Sequence, residues 1–335
     1  MLIAIDCIHT PISKRLGSHR ASWAKYWKYY LESKGHEVDI LYKDDDIGWN
    51  GYDEIYLYQG MEFDGVVNFI GGVADWQVYR FQKFAAWMNR NGHIPVYSIE
   101  HDMPDYHEIL EKRKINIPEL FGVSDRIKTV KLPDGKRQVV IGDSHSQSVM
   151  MPLTDEFVRV YRNDFKTLNG AINKGFDNFG DLSNAETATF YFGNIDARHH
   201  ALRHFDYPTE AAQNYVERYY NEVLRVVTKY PKLKNIEIIG LLPMPSDDRK
   251  LPKSGFYEGT PFYGELELRQ DFVDQFNYFM NKTCVNMGWN FFNWPDEFQD
   301  IDGTLSFDYM EKPRSVHLAQ TSYRYDFDKG EPRYV

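Results

Sequence analysis

Short apolar runs alternate along this chain with longer stretches in which apolar residues return at helical spacing. Leu2 to Cys7 is the first short run. After the loop His9 to Gly17, a stretch from about Ser18 to Lys34 carries Trp23, Trp27 and Leu31 on one side and stops at Gly35, which predicts a helix. Glu37 to Tyr42 and Glu54 to Tyr58 have the length and alternation of buried strands. Gly71 and Gly72 open a connection to a predicted helix over Trp76 to Asn91, and Ile94 to Ile99 returns as a strand.

The rhythm breaks at Glu111 to Gly135, a charged stretch holding Pro118 and Pro133 and closing in the turn Pro133-Asp134-Gly135. A domain boundary is expected near 115 to 135, with domains assigned over 1–125 and 126–335. The pattern restarts with a strand over Arg137 to Gly142. Further strands are predicted at Thr187 to Phe192, Ile236 to Leu242 and Trp289 to Asn293, with helices over Thr209 to Tyr230 and Leu266 to Met287. The polar tail from Asp326, which contains Pro332, reads as a surface extension. Strands alternating with helices predict an α/β protein of two Rossmann-like (flavodoxin-like) domains with mostly parallel sheets.

A length of 335 residues agrees with two cores. No apolar run approaches the ~20 residues of a membrane span, so no membrane partner is expected. The opening MLIAIDCIHT has no basic segment before its apolar run and reads as a strand, so a cytoplasmic location is expected. Cys7 and Cys284 stand far apart in no CxxC or Cys/His cluster, and are expected as reduced thiols. A net charge of −10 works against a broad grip on nucleic acid, because phosphate neutralisation needs Lys and Arg. Aromatic residues make up 16% of the chain, enough to serve both cores and stacking on a sugar or base.

The candidate chemistry begins where the strand Gln138 to Ile141 runs into Gly142-Asp143-Ser144-His145-Ser146. A serine at the carboxyl end of a parallel strand stands where open α/β sheets bind ligands, and backbone N–H groups of the following turn can stabilise an oxyanion. Two further blocks follow in order: Phe190-Tyr191-Phe192-Gly193-Asn194-Ile195-Asp196 and Ser315-Val316-His317-Leu318. Together they resemble the SGNH, or GDSL-like, hydrolase superfamily over about 190 residues, 135 to 325. The run Phe192-Gly193-Asn194-Ile195-Asp196-Ala197-Arg198-His199-His200 is also similar to SGNH-like proteins of polysaccharide gene clusters and phages. The resemblance implies Ser144 as nucleophile, His317 as general base, and an oxyanion hole from the Ser144 N–H, Gly180 and the Asn194 amide, with no cofactor.

The sequence departs from the family at one point. An acid is expected three residues before the histidine, and Arg314 stands there. Asp308 or Asp302 is the expected substitute, a Ser/His dyad or a non-hydrolysing binding site being the alternatives. Asp143, His145, Asp196, Arg198 and Arg314 are assigned to substrate binding. A metal site at Asp196, His199 and His200 is disfavoured, since adjacent residues on a regular element point apart.

The N-terminal 110 residues carry pieces similar to the first domain of GT-B glycosyltransferases, and most of all to phage DNA β-glucosyltransferases: Gly35-His36-Glu37-Val38-Asp39, Tyr52-Asp53-Glu54-Ile55-Tyr56, Asn68-Phe69-Ile70-Gly71-Gly72, Gln82-Lys83-Phe84, and Val96 to Ile99 leading to Asp102. That resemblance implies Asp102, or else Glu100, as an acceptor base. Gly17-Ser18-His19-Arg20 at a helix start suits an anion, but no GxGxxG or P-loop pattern supports a dinucleotide. Three functions follow. The first is an esterase, deacylase or O-acyltransferase on a carbohydrate-like or modified-nucleoside substrate held between the domains. The second is a glycosyltransferase using a nucleotide sugar, with DNA modification among its uses. The third is a binding protein with a degenerate SGNH site.

Overall fold

A computed structural model describes residues 1–6, 19–42, 48–57, 75–99, 122–130, 137–149, 158–163, 166–249, 251, 257–311, 314–326, 329 and 331–333. The chain divides into two compact units, Met1–Asp134 and Gly135–Val335. Both are α/β and built on parallel sheets, as the alternation of strands and helices predicts. Among the described residues no helix is long and apolar enough to cross a membrane.

The first unit has β1 (Leu2–Asp6), α1 (His19–Ser33), β2 (Glu37–Leu41), β3 (Glu54–Leu57), α2 (Asp75–Arg90), β4 (Val96–Ile99) and β5 (Ile127–Val130). Its sheet runs β2-β1-β3-β4-β5, parallel throughout. The apolar residues of its strands, Ala4, Ile55, Leu57, Val96 and Ile127, pack with Trp49, Phe84, Trp87 and Met88 into one core. β5 was not expected, because Ile127-Lys128-Thr129-Val130 lies inside the charged stretch read as a boundary. It pairs with β4, so the second unit starts at Gly135 rather than at 126.

The second unit has β6 (Gln138–Gly142), β7 (Arg159–Arg162), α3 (Leu168–Lys174), β8 (Thr187–Tyr191), α4 (Asn194–His199), α5 (Pro208–Lys229), β9 (Asn235–Ile239), α6 (Leu266–Met287) and β10 (Asn290–Phe292), and ends in a small hairpin of Tyr325–Asp326 with Glu331–Pro332. Its sheet runs β10-β9-β8-β6-β7, again all parallel. α5 opens on Pro208, whose missing N–H costs nothing in a first turn, and buries Ala211, Ala212, Tyr215, Val216, Tyr219, Val223 and Val226 at helical spacing. α6 buries Phe272, Val273, Phe276, Met280 and Cys284 and stops at Gly288, whose left-handed φ of 66° closes the helix. The two helices meet through Tyr215 on Phe272 and Tyr219 on Phe276. Cys284 is a buried free thiol whose pKa burial pushes up to about 12.

In this strand order the first strand of the unit, β6, lies between β7 and β8. The chain leaves the two neighbours β6 and β8 in opposite directions, and it is beyond the carboxyl ends of such a pair that open α/β sheets bind ligands. Ser144 follows β6, and Asn194 follows β8.

Candidate active site

The turn after β6 is dictated by close packing. A Cβ on Gly142 would lie 2.4 Å from the Tyr191 carbonyl oxygen on β8, so no side chain fits there. The Asp143 N–H continues the ladder to the Tyr191 carbonyl at 3.0 Å, and the chain then winds into a tight helical turn over Ser146–Val149. From Val139 to Val149 every residue except Ser144 is buried. The turn therefore presents one hydroxyl to solvent.

The Ser144 Oγ meets His317 Nε2 at 2.9 Å across 173 positions of sequence. On the far side of the ring, Nδ1 lies 3.8 Å from Glu311 Oε1, within ion-pair range and beyond a hydrogen bond. Glu311 reaches this place through local backbone pairing. Its N–H donates to the His317 carbonyl at 3.0 Å, Ala319 N–H donates to the Tyr309 carbonyl, and Met310 bridges Leu318 antiparallel. The Ser315 hydroxyl donates to Glu311 Oε1 at 2.9 Å and accepts the His317 N–H at 3.2 Å, closing the turn. Arg314, at the turn's tip, is exposed with a left-handed φ of 66°.

The carboxylate behind His317 is thus Glu311, and the expectation of Asp308 or Asp302 is corrected. Asp308 is exposed, and the Asp302 carboxylate is occupied by the Thr304 N–H at 2.9 Å and hydroxyl at 2.7 Å. Glu311 is the acid nearest before His317 in the sequence. It stands six residues before the histidine, where the resemblance placed an acid at three.

The candidate oxyanion donors come from the two neighbouring loops. Gly193 turns the chain with a φ of 119°, and Asn194 begins α4. Asn194 Oδ1 accepts the Leu242 N–H at 3.1 Å, and its Nδ2 is buried on the side of the Tyr191 hydroxyl. Gly180 lies where a Cβ would sit 2.4 Å from the Tyr161 ring. Its loop is tied to the Ser144 strand by Asn163, a residue that sequence reasoning missed. The Asn163 amide donates to the carbonyls of Gly142, Tyr161 and Phe179 at 3.1 to 3.4 Å, and its N–H to Gly142 at 2.9 Å.

The remaining assigned residues separate. Asp196 accepts the N–H groups of Leu168 and Asn169, so its carboxylate caps α3 instead of facing substrate. Burial pushes its pKa up to about 7 against those donors. Asp143 and His145 are buried and paired, Nδ1 to Oδ1, at 2.9 Å. Arg198 is buried one helical turn after Asn194 on the same face of α4, and burial lowers its pKa against the charge of Asp143. His199 stacks on Tyr257 with centroids 4.3 Å apart, and His200 Nε2 meets the Tyr257 hydroxyl at 2.6 Å. Among the described residues no group of three His, Cys, Asp or Glu is placed to hold a metal. Asp102, Glu100, Gly17 and Ser18 lie outside the described residues.

No protein-family model matches the chain, and a search of curated proteins finds no match. Among solved structures it is similar to a proposed platelet activating factor from Streptococcus pneumonia, at 15% identity and a TM-score of 0.42, covering 58% of this chain and 81% of that one. It is also similar to Est24, a carbohydrate acetylesterase from Sinorhizobium meliloti, at 14% identity and 0.33, covering 56% and 92%. Phospholipase A1 from Streptomyces albidoflavus NA297 matches at 17% and 0.28, covering 47% and 78%. Likenesses this distant carry no argument about chemistry, which rests on the side chains themselves.

Proposed function

We propose that the second unit is a serine-dependent esterase or deacylase, or an O-acyltransferase, acting on an acyl group borne by a carbohydrate-like or modified-nucleoside substrate. The observation that carries this reading is the 2.9 Å contact of Ser144 Oγ with His317 Nε2, with Glu311 behind the ring. Ser144 Oγ attacks the acyl carbonyl while its proton passes to Nε2. The resulting imidazolium gains from the Glu311 charge, and the resemblance offers the Asn194 amide as donor to the oxyanion. The proton then goes to the departing alcohol as its C–O bond breaks, leaving an acyl-serine. Water, or a second hydroxyl in the transferase case, takes the acyl group by the reverse steps. The carbohydrate-like substrate is drawn from the sequence resemblance.

Incubation with a fluorophosphonate followed by peptide mass spectrometry tests this reading. Covalent label on Ser144, absent in His317→Ala, is the expected result. An unlabelled Ser144 in the folded protein, together with no turnover of acetylated sugars or nucleosides, would overturn it.

A further inference from the structure

His145 stands behind the reacting pair and takes no part in the steps above. Its ring is buried between two acceptors, with Nδ1 2.9 Å from Asp143 Oδ1 and Nε2 3.0 Å from the carbonyl of Val316. A carbonyl only accepts, so in the contact with Val316 it is Nε2 that donates. Val316 immediately precedes His317. The two imidazoles also lie against each other, centroids 4.7 Å apart and planes inclined by 37°. The Tyr191 ring meets His145 edge-on at 6.2 Å, and the charge of Arg198 reaches it from α4. The Ser144 turn and the His317 loop come from opposite ends of the unit's sequence, so their separation must be fixed by a contact between them.

We propose that His145 is a positioning residue that grips the carbonyl before His317 and backs its ring, setting Nε2 at hydrogen-bond distance from Ser144 Oγ. This rests on reading Ser144 and His317 as the reacting pair. His145 is not itself the base for Ser144, because both its nitrogens are occupied by Asp143 and Val316. An apolar residue at 145 would leave the Val316 carbonyl without this donor and loosen the placement of the His317 ring against Ser144.

The test compares the full chain with His145→Gln, whose amide nitrogen can still donate to Val316, and His145→Phe, which keeps a ring behind His317 and removes the donor. Fluorophosphonate labelling rates of Ser144 and ¹⁵N-histidine NMR spectra are measured on the same samples, with thermal melts as a check on folding. His145→Phe is expected to slow labelling by roughly 10²-fold, the scale of an ~1 Å misplacement. His145→Gln is expected to recover about tenfold of that loss through its retained hydrogen bond. With a soluble ester, the losses should fall on kcat rather than KM. Labelling within about twofold of wild type in both folded variants, or equal losses in the two, overturns the proposal. If Ser144 of the wild-type protein is not labelled and acetylated sugars and nucleosides are not turned over, the hydrolase reading fails, and the spectra then decide the positioning role. A slowly exchanging Nε2–H on His145, with His317 resonances that move in His145→Gln, sustains it. A freely exchanging Nε2–H, or unmoved His317 resonances, overturns it.

Discussion

A serine hydroxyl is a weak nucleophile until a base stands within hydrogen-bond reach and a third group stabilises that base once it is charged. Ser144 and His317 meet the first condition at 2.9 Å, and Glu311 meets the second by charge at 3.8 Å. Two consequences can be measured. Ser144→Ala should reduce ester turnover by ~10⁴-fold or more, and Glu311→Gln by roughly 10²-fold or more. Asp308→Asn should leave the rate within a factor of about two, as expected for an exposed side chain away from the chemistry. Equal losses in Glu311→Gln and Asp308→Asn would return the acid to the more distant position. The pair Ser144 and His317 was legible because each sits in a short block with glycine or serine neighbours. Glu311 was not, because its place depends on an antiparallel bridge between 310 and 318 that no local pattern announces. Gly142 carries a further expectation. Its missing Cβ would meet backbone, the Tyr191 carbonyl, which cannot swing aside as a side chain can. Gly142→Ala should therefore cost roughly 1–3 kcal/mol in urea unfolding and displace Ser144. A variant as stable and as readily labelled as wild type would remove this steric argument.

The elements that were hardest to read are those whose sequences look polar. β7 reads Arg159-Val160-Tyr161-Arg162, yet all four residues are buried: Arg162 donates to Gln147, and Arg159 lies over the Tyr161 ring. Charged residues in a run normally signal a solvated face, so the strand was missed. Asn163, which clips three loops together, went with it. The long helices were read to within a residue or two because buried apolar residues repeat at helical spacing over 22 residues in each. α4 is only 6 residues long and shows its role through packing, since every residue of it is buried. At its end His199 stacks on Tyr257 and meets the Phe262 ring edge at 5.4 Å. Burial first, then the charges of Arg198 and Arg249, lower its pKa from 6.5 to about 3. The sign follows directly. Above pH 6.5 both folded and unfolded chains hold neutral His199, and its contacts count in full. Between pH 6.5 and about 3 the unfolded chain takes up a proton that the folded one refuses, so stability falls as pH falls. The slope is at most about 1.4 kcal/mol per pH unit, and less after solvent screening. His199→Phe keeps the stack and removes the proton. Its urea midpoint should change less than that of wild type between pH 7 and pH 5, and parallel slopes would show that other groups govern the acid limb.

At the scale of the whole molecule, each unit closes on itself. Every strand pair of the first sheet lies between Leu2 and Val130, and every pair of the second large sheet between Gln138 and Phe292. The two cores likewise draw on separate stretches, Ala4 to Ile127 and Val139 to Cys284. This organisation was visible in the sequence because βα alternation restarts after a proline-bearing interruption. The point of division was less visible, because an edge strand, Ile127–Val130, completes the first sheet from within that interruption. Both sheets repeat one strand order, with the order reversing at the first strand of each unit. In the second unit Ser144 and Asn194 follow the two strands at the reversal, β6 and β8. The chemistry proposed here draws only on residues of the second unit, from Gly142 to His317. A chain of residues 135–335 should therefore fold alone with a single cooperative melt, as a domain with its own core does. It should also label at Ser144 at a rate within about threefold of the full chain, if the reacting groups are all in place. Loss of labelling in a folded 135–335 chain would mean that the first unit completes the site, and the assignment of the chemistry to one unit would fall.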